Sequence, residues 1–164
     1  MSDRIRQDSF GEAPDAGEWL VREDPDARCF GCGQGNERGL RLRFRRTGPG
    51  AVEAEYEAPE HFAGAPGVVH GGIQAALLDE ALGFAAHAAD DGQDFDLVTV
   101  EFSLRYRRPA PSGAPLRIRG RLLRREGRDY WVAGEIVDAS DGLLTEATAR
   151  WRRIDGRRVP RDAD

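Results

Sequence analysis

The sequence of 164 residues predicts an α+β domain, an antiparallel sheet of about six strands wrapped around one long central helix. Three observations lead there. Apolar and polar residues alternate with period two through most of 40–153, as strands with one buried face do. Over 72–89 the alternation stops and the residues become rich in alanine and leucine, without proline and with Gly83 as an interior breaker, which is helical composition at helical length. Ile73, Ala76, Leu77, Leu78, Ala81, Leu82, Phe84 and Ala85 then cover every direction of the helical wheel, so this helix must be buried on most sides, and a sheet curled around it meets that need.

In chain order, 1–26 is polar and acidic and is expected to be a mobile arm, with Trp19, Leu20 and Val21 able to anchor it. The domain proper runs over 27–154, and 155–164, "DGRRVPRDAD", is expected to be a loose tail. In "GLRLRFRR" Leu40, Leu42 and Phe44 alternate with arginines. Past the turn at Gly48, Pro49 and Gly50, Val52, Ala54 and Tyr56 alternate with Glu53, Glu55 and Glu57, giving a hairpin with one wet face. After the helix, Val98, Val100, Phe102, Leu104 and Tyr106 face one way and Thr99, Glu101, Ser103, Arg105 and Arg107 the other, so Thr99 reaches the apolar side only through a bulge. Pro109 and Pro111 end that strand. Three more follow over 116–124, 130–138 and 143–153, separated by the turn sequences "REGRD" and "ASDG".

The totals exclude several classes. No apolar run reaches the ~18 to 20 residues that span a bilayer, and the first residues lack the apolar segment of a secretory signal, so a soluble, cytoplasmic protein is expected. A net charge of −5 argues against generic nucleic-acid binding, which needs a basic surface. All the basic side chains other than histidine are arginine, and they cluster in "RYRRP" and "RLLRREGR". Cys29 and Cys32 have the spacing of half a zinc site, but no second such pair or paired histidine lies nearby, so no metal is expected.

The stretch "GAPGVVHGGIQAALLDEAL" holds the densest chemistry. A helix beginning at His-Gly-Gly offers backbone N–H groups without intrahelical partners at the positive end of the dipole, and glycine lets a ligand approach them, so Gly71 and Gly72 are candidate donors to a developing oxyanion. Asp79 lies two turns further on, where partial burial raises a carboxylate's pKa toward the range of a general base; use as a nucleophile fits equally well. Glu80, about 100° around the helix, points elsewhere and is expected to be structural, bonded to a neighbouring subunit. His70 is read first as a residue that orients the loop through a ring hydrogen bond, with acid-base catalysis as the alternative.

Four stretches, "CFGCGQGNERGLRLRF", "HFAGAPGVVHGGIQAALLDEALG", "VTVEFSLRYRRPAP" and "TEATARWRRI", together resemble the hotdog-fold acyl-CoA thioesterases of the phenylacetate-type and human thioesterase-superfamily branch, over roughly 29–154. The resemblance implies a homodimer joined edge to edge, with tetramers common, and a coenzyme A thioester as substrate with no further cofactor. It implies that Asp79 is the catalytic carboxylate, that the Gly71 N–H polarises the thioester carbonyl, and that Thr99 assists the nucleophilic water, with Asp79 and Thr99 supplied by the subunit opposite that Gly71. Val69, Gly72 and Asn36 become candidate substrate contacts, and Arg105, Arg107 and Arg108 candidate partners for the coenzyme A phosphates. Many members of the family carry an asparagine six residues before the histidine, where this chain has Gly64, and the branch resembled here often lacks it too. A non-catalytic acyl-CoA-binding module stays open, as does a hydratase or dehydratase on the same fold. The latter is disfavoured because Asp79 sits nine residues past His70.

Overall fold

The helix forms where the alternation stops. A computed structural model of the chain describes residues 17–20, 28–90 and 96–154, with α1 at Gly71–Ala88. Its strands are β1 (Trp19–Leu20), β2 (Phe44–Gly48), β3 (Ala51–Glu57), β4 (Ala63–Ala65), β5 (Val68–Val69), β6 (Asp96–Tyr106), β7 (Pro115–Glu126), β8 (Asp129–Asp138) and β9 (Leu143–Ile154). Seven of them form one antiparallel sheet in the order β1-β2-β3-β7-β8-β9-β6, and β4 and β5 form a separate ribbon leading into α1. This is the hotdog arrangement the sequence predicts, with the two-residue β1 added at one edge. The expected mobility of 1–16, 21–26 and 155–164 lies outside the described residues. Among the described residues no helix is long and apolar enough to cross a membrane.

The sheet curls around α1 because its inner face is apolar and, at one point, has no side chain. Leu77, Leu78, Ala81, Leu82, Ala85 and Ala86 of α1 are fully buried against Phe44, Val52, Leu116, Ile118, Val132 and Ile136. Burying each leucine contributes about 1.5–3 kcal/mol, and truncating one to alanine costs about 2–5. Gly120 and Gly134 stand opposite each other in the middle of the sheet, and a Cβ on Gly120 would lie 2.4 Å from the Ala81 carbonyl oxygen. Only glycine there lets the helix backbone come this close.

Three sequence expectations change in detail. Leu40 and Leu42 are buried as the alternation requires, but Arg41 between them takes a φ of 53°, so the strand begins only at Phe44. The N–H groups of Leu40 and Leu42 bond instead to the carbonyls of Phe30 and Gly31 in the cysteine loop. Glu53, expected on a wet face, is 5% exposed, because Arg119 pairs with it across β3 and β7 at 2.7 Å and also reaches Glu135 and Asp141. The β6 face is the third. Thr99 pairs with Trp151 and Glu101 with Arg150, so Val100 is the extra residue of a bulge. Phe102, Leu104 and Tyr106 stay in register with the inner residues Ala149, Ala147 and Thr145, but beyond the bulge Thr99 takes the inner side, while Val98 and Val100 are 40% and 42% exposed.

Candidate active site

The bulge brings Thr99 to Asp79. Thr99 Oγ1 donates to Asp79 Oδ1 at 2.8 Å, joining the middle of α1 to the edge strand β6. Burial pushes the Asp79 carboxyl above the usual carboxylate range, and the Thr99 hydrogen bond pulls it part of the way back. The second carboxylate oxygen receives no protein donor among the described residues.

The helix start is held by its own cap and by β6. His70 is the N-cap, and its Nδ1 accepts the Gly72 N–H at 2.9 Å, which fixes the orientation of the ring. The Gly72 N–H is thereby engaged by His70. The Gly71 N–H has no acceptor among the described residues, while the Gly71 carbonyl accepts from the Tyr106 hydroxyl at 2.8 Å. Tyr106 was not singled out from the sequence; its place in the β6 alternation was the only signal. Val69, a candidate substrate contact, is instead core: its side chain is buried, its N–H bonds Ala110, and its carbonyl accepts from Gln74 Nε2. Gln74 is in turn bonded by Thr145 of β9, which anchors this end of α1 to the sheet. Gly64, where many members of the family have asparagine, packs on the His70 ring; a Cβ there would lie 3.0 Å from His70 Cδ2, so the capping histidine occupies the space a side chain would need.

Other candidates are not brought to this point. Asn36 closes its own loop, donating to the Arg28 carbonyl and accepting from the Arg38 N–H. Arg107 is engaged by Glu146, and Arg108 by the Leu143 carbonyl and Asp138. Arg105, with its side chain 66% exposed and only a 4.0 Å approach to Glu146, is the arginine of the three most open to a ligand. Leu77 and Leu82 are sealed in the core, and the partly buried Phe84 packs on Phe44 with ring centroids 4.8 Å apart.

Glu80, turned away from Asp79, accepts from Cys29 Sγ at 3.4 Å within its own chain. The structural role expected of Glu80 is seen here as a contact within its own chain. No spacing signal links two residues 51 apart.

The comparisons with known proteins point to one superfamily. A profile of the thioesterase superfamily matches residues 66–145. A protein of Saccharolobus solfataricus named as an esterase is 34% identical over 104 residues, covering 63% of this chain and 71% of that protein. The acyl-coenzyme A thioesterase THEM4 of Rattus norvegicus is 29% identical over 96 residues, 58% of this chain, and the chain spans 40% of that protein's length. Among solved structures, a phenylacetic acid degradation-related protein of Ralstonia eutropha superposes with a TM-score of 0.61 at 31% identity, over 70% of this chain and 86% of the other.

Proposed function

Because this chain belongs to the thioesterase superfamily, we propose that it hydrolyses acyl-CoA thioesters to the free acid and coenzyme A, at a site completed by a second copy of the chain. One observation carries the reading. Asp79 is hydrogen-bonded to Thr99, and the Gly71 N–H, without an acceptor among the described residues, lies at the start of the same helix, eight residues and therefore about 12 Å away along its axis. A carbonyl undergoing attack needs its oxyanion donor and the activated water on the same carbon, within about 3 Å of each. Serving one carbon from two points that far apart on one helix would need every contact fully extended. A second chain related by a twofold axis supplies the missing half, and the unpaired outer edge of β6, with Val98, Val100 and Tyr106 exposed, is the edge on which two sheets can join.

In this reading Asp79 accepts a proton from water through its free oxygen while Thr99 holds the other. The water attacks the thioester carbon, and the oxyanion forms against the Gly71 N–H of the opposite chain at the positive end of α1. Collapse breaks the carbon–sulfur bond, and the leaving thiolate takes the proton from Asp79. Burial raises the Asp79 pKa, which makes its carboxylate a stronger proton acceptor and suits the general-base role. The coenzyme A ester is suggested by the rat relative, which is named for that substrate, and Arg105 is the residue offered to its phosphates.

The test is thiol release from short, long and aromatic acyl-CoAs by the wild type and by Asp79→Asn at equal concentration. Turnover by the wild type that falls at least ~100-fold in the variant is expected. Binding of these esters without any thiol release would instead make the chain an acyl-CoA-binding module.

A further inference from the structure

The cysteine pair and Glu80 lie outside the chemistry just described. We propose that Cys29 Sγ, Cys32 Sγ and a Glu80 carboxylate oxygen bind a zinc ion, with water as the fourth ligand, fastening the loop that precedes β2 onto α1 one residue from Asp79.

The geometry points there from four directions. The three donor atoms lie within 4.8 Å of one another, and Cys29 Sγ is 3.4 Å from Glu80 Oε1. A tetrahedral zinc, with Zn–S about 2.3 Å and Zn–O about 2.1 Å, sets sulfur and oxygen roughly 3.6 Å apart and two sulfurs roughly 3.8 Å apart, so only small side-chain shifts are required. The loop is already shaped: Gly33 N–H bonds the Cys29 carbonyl at 3.0 Å, and Leu40 and Leu42 bond the carbonyls of Phe30 and Gly31 at 2.7 and 2.9 Å. Gly31, next to Cys32, leaves room for this approach. A Cβ on Gly31 would lie 2.2 Å from the Glu80 side chain, so only glycine lets the carboxylate rest on the cysteine turn.

The donor set names the metal. Two sulfur ligands disfavour magnesium and calcium, while a mixed sulfur and carboxylate tetrahedron suits zinc. Cys29 is exposed, which opens the fourth position to water, and Cys32 is buried, which shields the other side. Each thiol releases its proton to solvent as its sulfur binds, and the ion offsets the crowding of three acidic groups at one point.

The experiment titrates the reduced full-length chain with cobalt(II), a spectroscopic stand-in for zinc, and then displaces it with zinc. A thiolate-to-cobalt charge-transfer band saturating at one ion per chain, and lost on adding an equivalent of zinc, is expected. Cys29→Ser abolishes the band, and Glu80→Gln weakens binding at least ~10-fold. Asp79→Asn, altering the adjacent carboxylate that faces Thr99, retains the band. Far-ultraviolet circular dichroism verifies that each variant is folded, and alkylating both thiols of the wild type repeats the cysteine test without a substitution. Absence of the band in the reduced wild type, its survival in Cys29→Ser or the alkylated chain, or unchanged affinity in Glu80→Gln each overturns the proposal.

Discussion

Asp79 and Glu80 are adjacent on α1 and carry the same functional group, yet the fold surrounds them differently. A helix turns about 100° per residue, so the two side chains meet different parts of the chain. Asp79 meets β6 and accepts one hydroxyl, from Thr99, in a half-buried position that raises its pKa. Glu80 meets the loop before β2 and lies against two cysteines. The first setting leaves a carboxylate one free oxygen and a reason to take up a proton. The second gathers ligands around a point that a cation can fill. What each acid can do is decided by the element that arrives on its side of the helix, and only weakly by the helix itself.

The sharpest way to break that contrast is to neutralise each acid in turn. Asp79→Asn is expected to lower thioester turnover at least ~100-fold, whereas Glu80→Gln lowers it less than about tenfold. Equal losses would mean that the two carboxylates share one site. A complementation experiment sharpens the Asp79 half. Gly71→Pro deletes the backbone donor at the first helical position, where proline is favoured and His70 before it has an extended ψ of 138°; its Cβ, 2.8 Å from the Tyr106 hydroxyl, requires that side chain to shift, so circular dichroism first verifies that the variant is folded. Gly71→Pro and Asp79→Asn are each expected to be inactive alone. Refolded together in equal amounts they regain about a quarter of wild-type activity, since half the dimers are mixed and each mixed dimer has one intact site of two. No recovery, with mixed dimers verified by differential tagging, would place both groups of a working site in one chain.

Much of this arrangement was legible in the residues. The buried helix follows from an apolar wheel, and the long strands follow from alternation; both signals are local, and both elements formed within a few residues of the expected bounds. A ring hydrogen bond at His70 was legible for the same reason, since it joins a residue two places on, although the helix cap that it forms was not named from the sequence. The Asp79–Thr99 bond was half legible. The alternation of Val98, Val100 and Phe102 runs smoothly through the strand and puts Thr99 on the wrong side, and the bulge at Val100 that corrects it leaves no mark in the pattern because valine suits either face. The approach of Cys29 to Glu80 was not legible, since it depends on how the loop folds over the helix 51 residues away. Gly31 was its one sequence trace, and a glycine between two cysteines reads equally well as an ordinary turn.

Removing the Thr99 hydroxyl tests the same site more gently. A hydrogen bond to an ionised group is worth about 1.5–3 kcal/mol, so Thr99→Val is expected to lower kcat by roughly 10- to 100-fold. The sign of the accompanying pH effect is fixed by the contact. The Thr99 bond lowers the Asp79 pKa, so its loss moves the acidic limb of the rate profile to higher pH. A fall in kcat without movement of that limb would assign Thr99 to water alone and not to Asp79.

The smallest expected effect is on stability, and it has the opposite sign to the effect on activity. The folded-state pKa of Asp79 is raised by burial, so folding binds its proton more tightly than the unfolded chain does. The stability this contributes is fully present below the unfolded carboxylate value near 3.9 and is lost as pH rises through the folded value, leaving a buried charge that weakens the fold at neutral pH. Asparagine keeps the size and can still accept the Thr99 hydroxyl but carries no charge. Asp79→Asn is therefore expected to raise Tm by roughly 2–4 °C at pH 7, with the gain shrinking toward zero as the buffer approaches pH 4. Glu80→Gln, in a chain freed of metal, serves as the paired measurement on the other face of the helix. A fall in Tm for Asp79→Asn at pH 7 would mean that the charge on Asp79 is stabilised by groups that the second chain brings to it, and the penalty of burial in one chain would then be offset within the dimer.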